Sequence, residues 1–210
     1  MVRDGSAGLV TTPGRRPYRS LRALQRDLAA CRLCAEAGHQ LESLPVAAPG
    51  ARQRAYLFGQ APGAIEGAER RPWRGRAGRT LRRWLELDEE AFYATFYCAS
   101  VTRCYPGRAA SGRGDRTPTP NERRLCRRWR EAELALLRPR LIVTVGGLAA
   151  RELLGLERVT DFVGSSYDVA DATAVPLPHP SGASGWLNAP ANRARLDDAL
   201  ALVAGALARL

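Results

Sequence analysis

Four of the five cysteines are spaced so that they could share one metal site. Cys31 and Cys34 form a C-x-x-C pair, and Cys104 and Cys126 follow far along the chain. Four thiolates are common ligands of a structural zinc ion or of a [4Fe–4S] cluster, and this spacing is compatible with both. The alternative is that some of these cysteines are small buried hydrophobic residues. We expect Cys98, which lies inside a predicted strand, to be such a core residue.

A second candidate for chemistry is the glycine-rich turn that follows an apolar run at 55–59. Gly59 ends the run, and Pro62 and Gly63 lie in the turn that follows. In open α/β sheets, ligands bind just beyond the carboxyl ends of the strands. A second glycine-containing loop at 71–78 carries Trp73 and several arginines. We expect the two loops to form the floor and wall of one pocket.

All basic side chains counted in the net charge are arginines. The 210 residues include 32 basic and 21 acidic side chains, with a formal net charge of +11 and no lysine. A strongly basic protein concentrates on polyanions such as nucleic acids, because binding releases counterions. The alternative is that genomic base composition has replaced lysine by arginine. Without lysine, a Schiff-base mechanism would have only the terminal amine to use.

Length and composition indicate one globular domain. We expect a flexible N-terminal segment at 1–18, rich in Gly, Pro, Thr and Arg, followed by a single domain at 19–210. No apolar run is long enough to cross a membrane, so we expect a cytoplasmic protein, associated with the bacterial nucleoid and monomeric. Five cysteines in a cytosolic chain favour a metal or cluster site over disulfides.

Periodicity predicts the elements that would position these residues. Helical spacing begins at Ser20 and ends near Cys31, and a capped helix is predicted to begin near Thr119. Further helices are predicted at 80–85, 148–154 and 191–210, the last strongly amphipathic, and strands at 55–59, 96–102, 141–145 and 174–177, with a long loop at 107–120. Alternating strands and helices indicate an α/β fold with a mostly parallel sheet between helices.

The order of several motifs resembles the iron–sulfur uracil-DNA glycosylases of families 4 and 5. The motifs are G-Q-A-P-G-x-x-E at 59–66, P-W-x-G-x-A-G at 72–78, R-C-x-P at 103–106, the Thr-Pro segment leading to Cys126, L-I-V-T-V-G at 141–146 and H-P-S at 179–181. The resemblance implies a three-layer α/β/α fold around a four-stranded, mostly parallel sheet. It also implies a [4Fe–4S] cluster on Cys31, Cys34, Cys104 and Cys126, with zinc as the less favoured alternative, and excision of uracil from DNA.

The resemblance assigns catalytic roles at the ends of two strands. Excision leaves negative charge on uracil O2, and the backbone N–H groups of Gln60 and Ala61 are expected to stabilise it as an oxyanion hole does. His179 is the second expected donor; the alternative is a histidine with a structural hydrogen bond. Glu66 is expected to position water or to stabilise the cationic sugar; the alternative is a solvated or arginine-paired glutamate.

Base and DNA contacts are also implied by the resemblance. Trp73 lies where the family has a phenylalanine that stacks on the flipped base, and Gly59 and Ser100 are assigned to the same base site; the alternative for Trp73 is a core tryptophan. The segment 181–188 matches the loop that enters the duplex. There, Trp186 or Leu187 is the expected wedge, and the backbone around Ser181 is expected to bind phosphate.

The chain departs from the family pattern at several site positions. Family 4 has Glu where this chain has Gln60, and an asparagine that reads the uracil edge where it has Ser100, which cannot make the paired contact of an amide. Family 5 has an Asp near the position of Arg76. The loop at 107–118 lacks the histidine of the covalent DNA-trapping relatives, so we do not expect covalent trapping.

Together these features predict a monofunctional DNA glycosylase. The expected partner is uracil-containing single- or double-stranded DNA, with possible activity on other deaminated bases, and the pathway is base excision repair. The lack of lysine is consistent with the absence of lyase activity. A second hypothesis is a catalytically weak or inactive DNA-damage-binding protein of the same fold, and a third is a zinc-stabilised α/β protein.

Overall fold

A five-stranded sheet forms the centre of the structure, which is a computed structural model that describes residues 18–47, 50, 52–181 and 185–210. The strands are β1 (Ala55–Gly59), β2 (Phe96–Ser100), β3 (Leu141–Val145), β4 (Tyr167–Val169) and β5 (Ala172–Leu177), in the spatial order β2-β1-β3-β5-β4. The first four in that order run parallel, and β4 is antiparallel to β5. The predicted α/β fold with a mostly parallel sheet is therefore confirmed.

The sheet has one strand more than predicted. β4 is only three residues long and is partly exposed, so it lacks the apolar run that identifies a buried strand. It pairs with β5 through a tight turn, in which Val169 lies opposite Ala172. The residue at the turn that adopts a positive φ is Ala170 (φ 50°), not glycine. The sequence therefore carries no Asn-Gly or Asp-Gly signal for this hairpin.

The register of the parallel strands aligns their carboxyl ends. Gly59 at the end of β1 lies opposite Ser100 at the end of β2, and Val145 at the end of β3 lies opposite Leu177 at the end of β5. The loops that follow these four strands therefore leave from the same edge. This edge is the site expected for ligand in an open parallel sheet.

Nine helices lie around the sheet within the described ranges. They are α1 (Leu21–Ala29), α2 (Leu33–Glu36), α3 (Ala64–Glu69), α4 (Arg76–Trp84), α5 (Glu89–Thr95), α6 (Pro120–Leu137), α7 (Gly147–Leu154), α8 (Val159–Phe162) and α9 (Pro190–Leu207). The start of α6 follows from its sequence, because Thr119 and Glu122 form a reciprocal capping box and Pro120 occupies the first turn. Ser20, where helical spacing was predicted to begin, caps α1 through its hydroxyl, which accepts from the Ala23 N–H at 3.3 Å. The short helices α2, α3, α5 and α8 were not predicted.

The helices form layers on both faces of the sheet. The connections β1 to β2 and β2 to β3 cross the sheet in opposite directions, so right-handed crossovers place α3–α5 on one face and α6 on the other. Helix α1 packs on α6, and Arg123 of α6 pairs with Glu152 of α7 at 2.6 Å. Helix α9 contacts β3 and β5. Its predicted strong amphipathicity was wrong, because apolar residues such as Leu202 also occupy its exposed face.

A polar network lies inside the core beneath β1 and β2. Glu133 of α6 accepts hydrogen bonds from the hydroxyls of Tyr56 (2.7 Å) and Tyr97 (3.0 Å) and pairs with Arg103. All four side chains are almost completely buried. Burial and the Glu133 charge raise the pKa of both tyrosines, so both hydroxyls stay protonated and donate. The network joins α6 to the sheet and to the segment that follows β2.

Tyr18 is the first residue of the N-terminal part that the structure describes. Of the predicted flexible segment 1–18, residues 1–17 lie outside the described residues. Tyr18 packs on the domain: its hydroxyl donates to Asp27 at 3.2 Å and its ring centroid lies 6.3 Å from that of Trp129. The domain thus begins no later than Tyr18. Among the described helices, none is long and apolar enough to cross a membrane.

Candidate active site

The loop after β1, which carries Gln60 and Ala61, and the loop after β5, which carries His179, leave the sheet at the same edge. β1 and β5 flank β3, so the two loops that carry these residues are about 10 Å apart. Between them lies Gly146, whose φ of +87° is one that glycine adopts readily. A Cβ added at Gly146 would lie 3.4 Å from Cβ and Cδ2 of His179, so the histidine packs directly over this glycine.

The hydrogen bonds of His179 determine which ring nitrogen carries its proton. Nδ1 lies 3.3 Å from the backbone nitrogen of Ser181 and 2.8 Å from its Oγ. Because a backbone N–H can only donate, Nδ1 must accept, and the proton of the neutral ring is on Nε2. Desolvation lowers the pKa of His179 from its ordinary 6.5, partly offset by the Asp115 carboxylate, which raises it. His179 is therefore a neutral Nε2–H donor at neutral pH.

Asp115 borders the same site and was missed by the sequence analysis. Its Oδ1 accepts a hydrogen bond from the Tyr105 hydroxyl at 3.0 Å, and its Oδ2 lies 3.3 Å from the position of a Cβ on Gly63. Asp115 lies in the 107–120 segment, which was predicted as a long loop and is one. The loop folds back on itself: Arg108 and Asp115 form an antiparallel bridge, and Arg116 N–H donates to the Gly107 carbonyl at 2.9 Å. No periodicity in its sequence indicates this pairing.

Glu66 holds the two glycine loops together. Its Oε1 accepts from the Gly75 N–H at 2.7 Å, and its Oε2 accepts from the Gly63 N–H at 3.2 Å. Neither the predicted catalytic role of Glu66 nor the alternative of a solvated or arginine-paired carboxylate includes these bonds to backbone N–H groups, and the catalytic role stays a prediction. The loop that contains Gln60 and the loop that contains Trp73 are joined by this one side chain.

We expect Glu66→Ala to destabilise the protein by about 1–3 kcal/mol, because two backbone N–H groups lose their acceptor. The melting temperature should fall by about 2–4 °C for each kcal/mol in a chain of this size. The matched control is Glu69→Ala on the same helix, since Glu69 is exposed and its carboxylate pairs with the Arg74 side chain at 2.6 Å. Thermal unfolding of both variants checks the prediction, and equal melting temperatures would contradict it.

Trp73 lies against the end of β1 in a strained backbone conformation. Its φ is +60°, a region that bulky residues rarely adopt. The conformation is held by Arg82, which donates to the Trp73 carbonyl at 2.9 Å, and by Gly78, where a Cβ would lie 1.8 Å from that carbonyl oxygen. The indole rests on Gly59, with Cζ2 at 2.8 Å from the position of a Cβ there. This contact requires glycine at position 59.

The three predicted base-binding residues lie together at this edge. Gly59 is the partner of Ser100 in the sheet and is covered by the Trp73 ring. The Ser100 hydroxyl donates to the Thr102 carbonyl at 2.7 Å. Because the hydroxyl proton is used in this bond, Ser100 Oγ can act toward a ligand only as a hydrogen-bond acceptor.

The predicted DNA-binding residues lie in the segment that follows His179. Residues 182–184 of the predicted wedge loop lie outside the described residues. Trp186 and Leu187 form a 3₁₀ turn, Trp186–Asn188, and both are half-buried against the core. The Ser181 N–H is directed at His179. Their roles as wedge and phosphate contact stay predictions.

The four predicted metal ligands line one cavity. Cys31 and Cys34 near α2, Cys104 after β2 and Cys126 in α6 border a space of about 380 Å³. Burial and, to a smaller extent, the neighbouring Cys126, Cys34 and Cys31 together raise the pKa of Cys104 to about 12. Burial likewise raises the pKa of Cys34 to about 11 and of Cys126 to about 12. Cys98 is separate and buried in β2, as expected.

The four thiols line a cavity but do not lie close enough together to form a metal-binding group among the described residues. Within the described ranges, no three His, Cys, Asp or Glu side chains form a group that could hold a metal ion. The donor set is nevertheless four thiols facing one cavity. Glu122, which also lines the cavity, is engaged by Arg116 (2.7 Å) and by the Thr119 N–H (2.7 Å).

Comparison with known proteins identifies the family. The model of the uracil DNA glycosylase superfamily matches residues 48–202. The chain is 29% identical over 131 residues to a type-4 uracil-DNA glycosylase of Thermotoga maritima, and 30% identical over 141 residues to one of Archaeoglobus fulgidus. The matched segments cover 61% and 65% of this chain and 65% of each relative. With its sheet edge, histidine loop and glycine loops in this arrangement, the chain belongs to the uracil DNA glycosylase superfamily.

Proposed function

We propose that this protein excises uracil from DNA by hydrolysis of the N-glycosidic bond. The observation that carries the proposal is the placement of His179, a neutral Nε2–H donor, on the same sheet edge as the turn after β1. Breaking the bond between C1′ and N1 leaves an electron pair on the uracil ring. Its O2 can then accept from His179 and from the backbone of Gln60 and Ala61, an arrangement that acts as an oxyanion hole.

The base site supports uracil as the substrate. A glycosylase must extrude its target nucleotide and bind the base by stacking and by its hydrogen-bonding edge. Trp73 offers the stacking face. Ser100 offers an acceptor, because its proton is directed to Thr102, and this matches the N3–H of uracil. Cytosine has an acceptor at N3, so two acceptors would face each other.

DNA as the partner is consistent with the charge of the chain. A net charge of +11 favours binding to the phosphate backbone. The lack of lysine removes the usual amine for attack on the abasic sugar. We therefore propose a monofunctional glycosylase that leaves an intact abasic site.

We further propose that the four-cysteine cavity holds a [4Fe–4S] cluster. The donor set suits such a cluster, because four thiols from three parts of the chain line one space of about 380 Å³. When bound, the cluster supplies structural cross-linking between α2, α6 and the segment after β2. Zinc is the alternative that metal analysis distinguishes.

Cys104→Ser is expected to lower cluster content and stability together. Loss of one thiolate should weaken metal binding by more than the roughly 10- to 100-fold that loss of an outer-shell partner costs. Iron and sulfide analysis with thermal unfolding checks this prediction. Cys98→Ser changes a buried cysteine outside the cavity and is the control for loss of a core thiol. A Cys104→Ser protein with full iron content would contradict the assignment.

Trp73→Ala is expected to weaken capture of the flipped base. Stacking of a base on an aromatic side chain contributes about 1–3 kcal/mol, which corresponds to roughly 5- to 150-fold in the rate at subsaturating enzyme. Trp73→Phe keeps an aromatic face and should lose much less. Single-turnover excision by the two variants measures the difference, and equal rates would remove Trp73 from the base site.

The proposed function is tested by an excision panel with the wild-type protein. Oligonucleotides that carry uracil, hypoxanthine, xanthine or thymine, single-stranded and opposite each base, are incubated and cleaved with alkali. We expect cleavage at uracil and none without alkali. Retention of uracil DNA without cleavage would instead support a DNA-damage-binding protein.

A further inference from the structure

The carboxylates near the glycine loops differ in what they can offer to a substrate. Position 60 carries an amide, Gln60, and Glu66 already accepts a backbone N–H with each of its two oxygens. Asp115 is different. Its Oδ1 is held by the Tyr105 hydroxyl, whereas its Oδ2 faces the backbone of Gly63 in the turn after β1, and the side chain is exposed.

The position of Asp115 is determined by the backbone around it. The bridge between Arg108 and Asp115 and the bond from the Ala109 N–H to the Gly114 carbonyl (3.0 Å) pair the two arms of the segment. Tyr105, which anchors the carboxylate, is itself buried, and its N–H is bound by Ser43 at 2.8 Å. A charged side chain is thus held at the mouth of the site by a paired backbone and a buried anchor.

The charge of Asp115 also acts on His179. The carboxylate raises the pKa of His179, against the larger lowering by desolvation, and its Oδ2 lies 3.3 Å from the position of a Cβ on Gly63. The loop after β1, the loop after β5 and the segment after β2 therefore border one space. Asp115 contributes a negative charge to that space.

We propose that Asp115 is a catalytic carboxylate of this glycosylase, placed against C1′ of the extruded nucleotide. The inference rests on the proposed function. As the bond from C1′ to N1 breaks, its electron pair stays with uracil, and the Asp115 carboxylate stabilises the positive charge on the sugar. A water oxygen forms the new bond to C1′, and Asp115 accepts the proton that this water loses. That proton then passes to the uracil anion, so the products are uracil and an abasic sugar.

Asp115→Asn is the direct test. Asparagine keeps an oxygen that accepts from Tyr105, so the local fold should survive while the charge and the base are lost. We expect the single-turnover rate of uracil excision to fall by about 10²- to 10⁴-fold, the range for loss of a general base. The dissociation constant for uracil DNA should change by less than about threefold, because the substrate contacts of His179 and Trp73 are retained. The matched control is Asp171→Asn, since Asp171 is exposed in the turn between β4 and β5 at the opposite edge of the sheet.

Chemical rescue separates a catalytic from a structural role. Asp115→Ala opens space for a small carboxylate, so added formate should restore excision in a concentration-dependent manner and should leave Asp115→Asn unaffected. Tyr105→Phe keeps the carboxylate but not its anchor, and a loss smaller than that of Asp115→Asn is expected. Wild-type excision together with full activity of Asp115→Asn would overturn the role of Asp115 and leave the proposed function intact. Absence of excision by the wild-type protein would overturn both.

Discussion

Replacing His179 with alanine is expected to slow uracil excision by about 10²- to 10³-fold, the usual effect of removing one donor from an oxyanion hole. The Nε2–H of His179 is held toward the site because the Ser181 N–H occupies Nδ1. The donor acts on charge that develops on O2 only as the bond breaks. Binding of uracil DNA should therefore change little, and single-turnover rates with separate binding measurements distinguish the two effects.

His179→Gln is the matched variant for this prediction. An amide can still donate one hydrogen bond, so this variant should retain more activity than His179→Ala. If both variants lose DNA binding and excision in equal measure, His179 is a structural residue and the catalytic role is wrong.

The same histidine predicts a pH dependence. Desolvation lowers the pKa of His179, and the Nδ1 contact with a backbone N–H exists only in the neutral ring. The neutral form thus predominates at pH 7 and is lost as the pH falls through the lowered pKa, below the ordinary 6.5. We expect an excision rate that is level above pH 7 and falls on the acid side. This histidine-dependent fall should be absent in His179→Gln, and a rate that rises toward acid pH would contradict the assignment of a neutral donor.

Glu133→Gln is expected to cost about 3–5 kcal/mol of stability, because it leaves the buried Arg103 without its counter-charge. The two tyrosine hydroxyls donate to different oxygens of Glu133, so the single amide oxygen of the glutamine can keep only one of these bonds, and this loss adds to that of the charge. The burial of Arg103 already costs folding free energy in the wild-type protein, since its Nε is buried and has no hydrogen-bond partner among the described residues. The melting temperature should fall by about 2–4 °C for each kcal/mol.

The double variant Arg103→Met with Glu133→Gln tests the physical reason. Removing both charges takes away the uncompensated guanidinium, so the double variant should be more stable than Glu133→Gln alone. Chemical unfolding of the two proteins with matched cluster content measures this difference. A double variant that is less stable than the single one would show that the side-chain packing of Arg103, and not its charge, dominates.

Much of the fold could be predicted because its signals are local. The β-branched run 141–145 becomes β3, and the run 55–59 becomes β1, with the predicted bounds. Thr119 and Glu122 lie three residues apart, so the capping box that starts α6 is visible in the sequence. β4 was missed because its pairing with β5 depends on a neighbour strand and a turn without glycine.

The sequence predicted most residues of the candidate site, but not the separate roles of its carboxylates. The order of motifs placed Gln60, Trp73, Ser100 and His179 near one ligand, and the fold puts their strands at one edge. The separate tasks of Glu66 and Asp115 could not be predicted. Glu66 is near the loop in sequence and was a candidate for positioning water or stabilising the sugar, yet both of its oxygens accept from the backbone N–H groups of Gly63 and Gly75.

The sequence by itself determined four of the five described strands, the starts of α1 and α6, the four candidate thiol ligands and the family resemblance, because each depends on composition or spacing within short segments. The tertiary structure decided which carboxylate faces the site, which nitrogen of His179 carries the proton and how Trp73 is held on Gly59. These features arise where segments distant in the chain meet at the carboxyl ends of parallel strands. Periodicity and motif order do not encode such contacts, since hydrogen-bond partners are set by the positions of atoms in space.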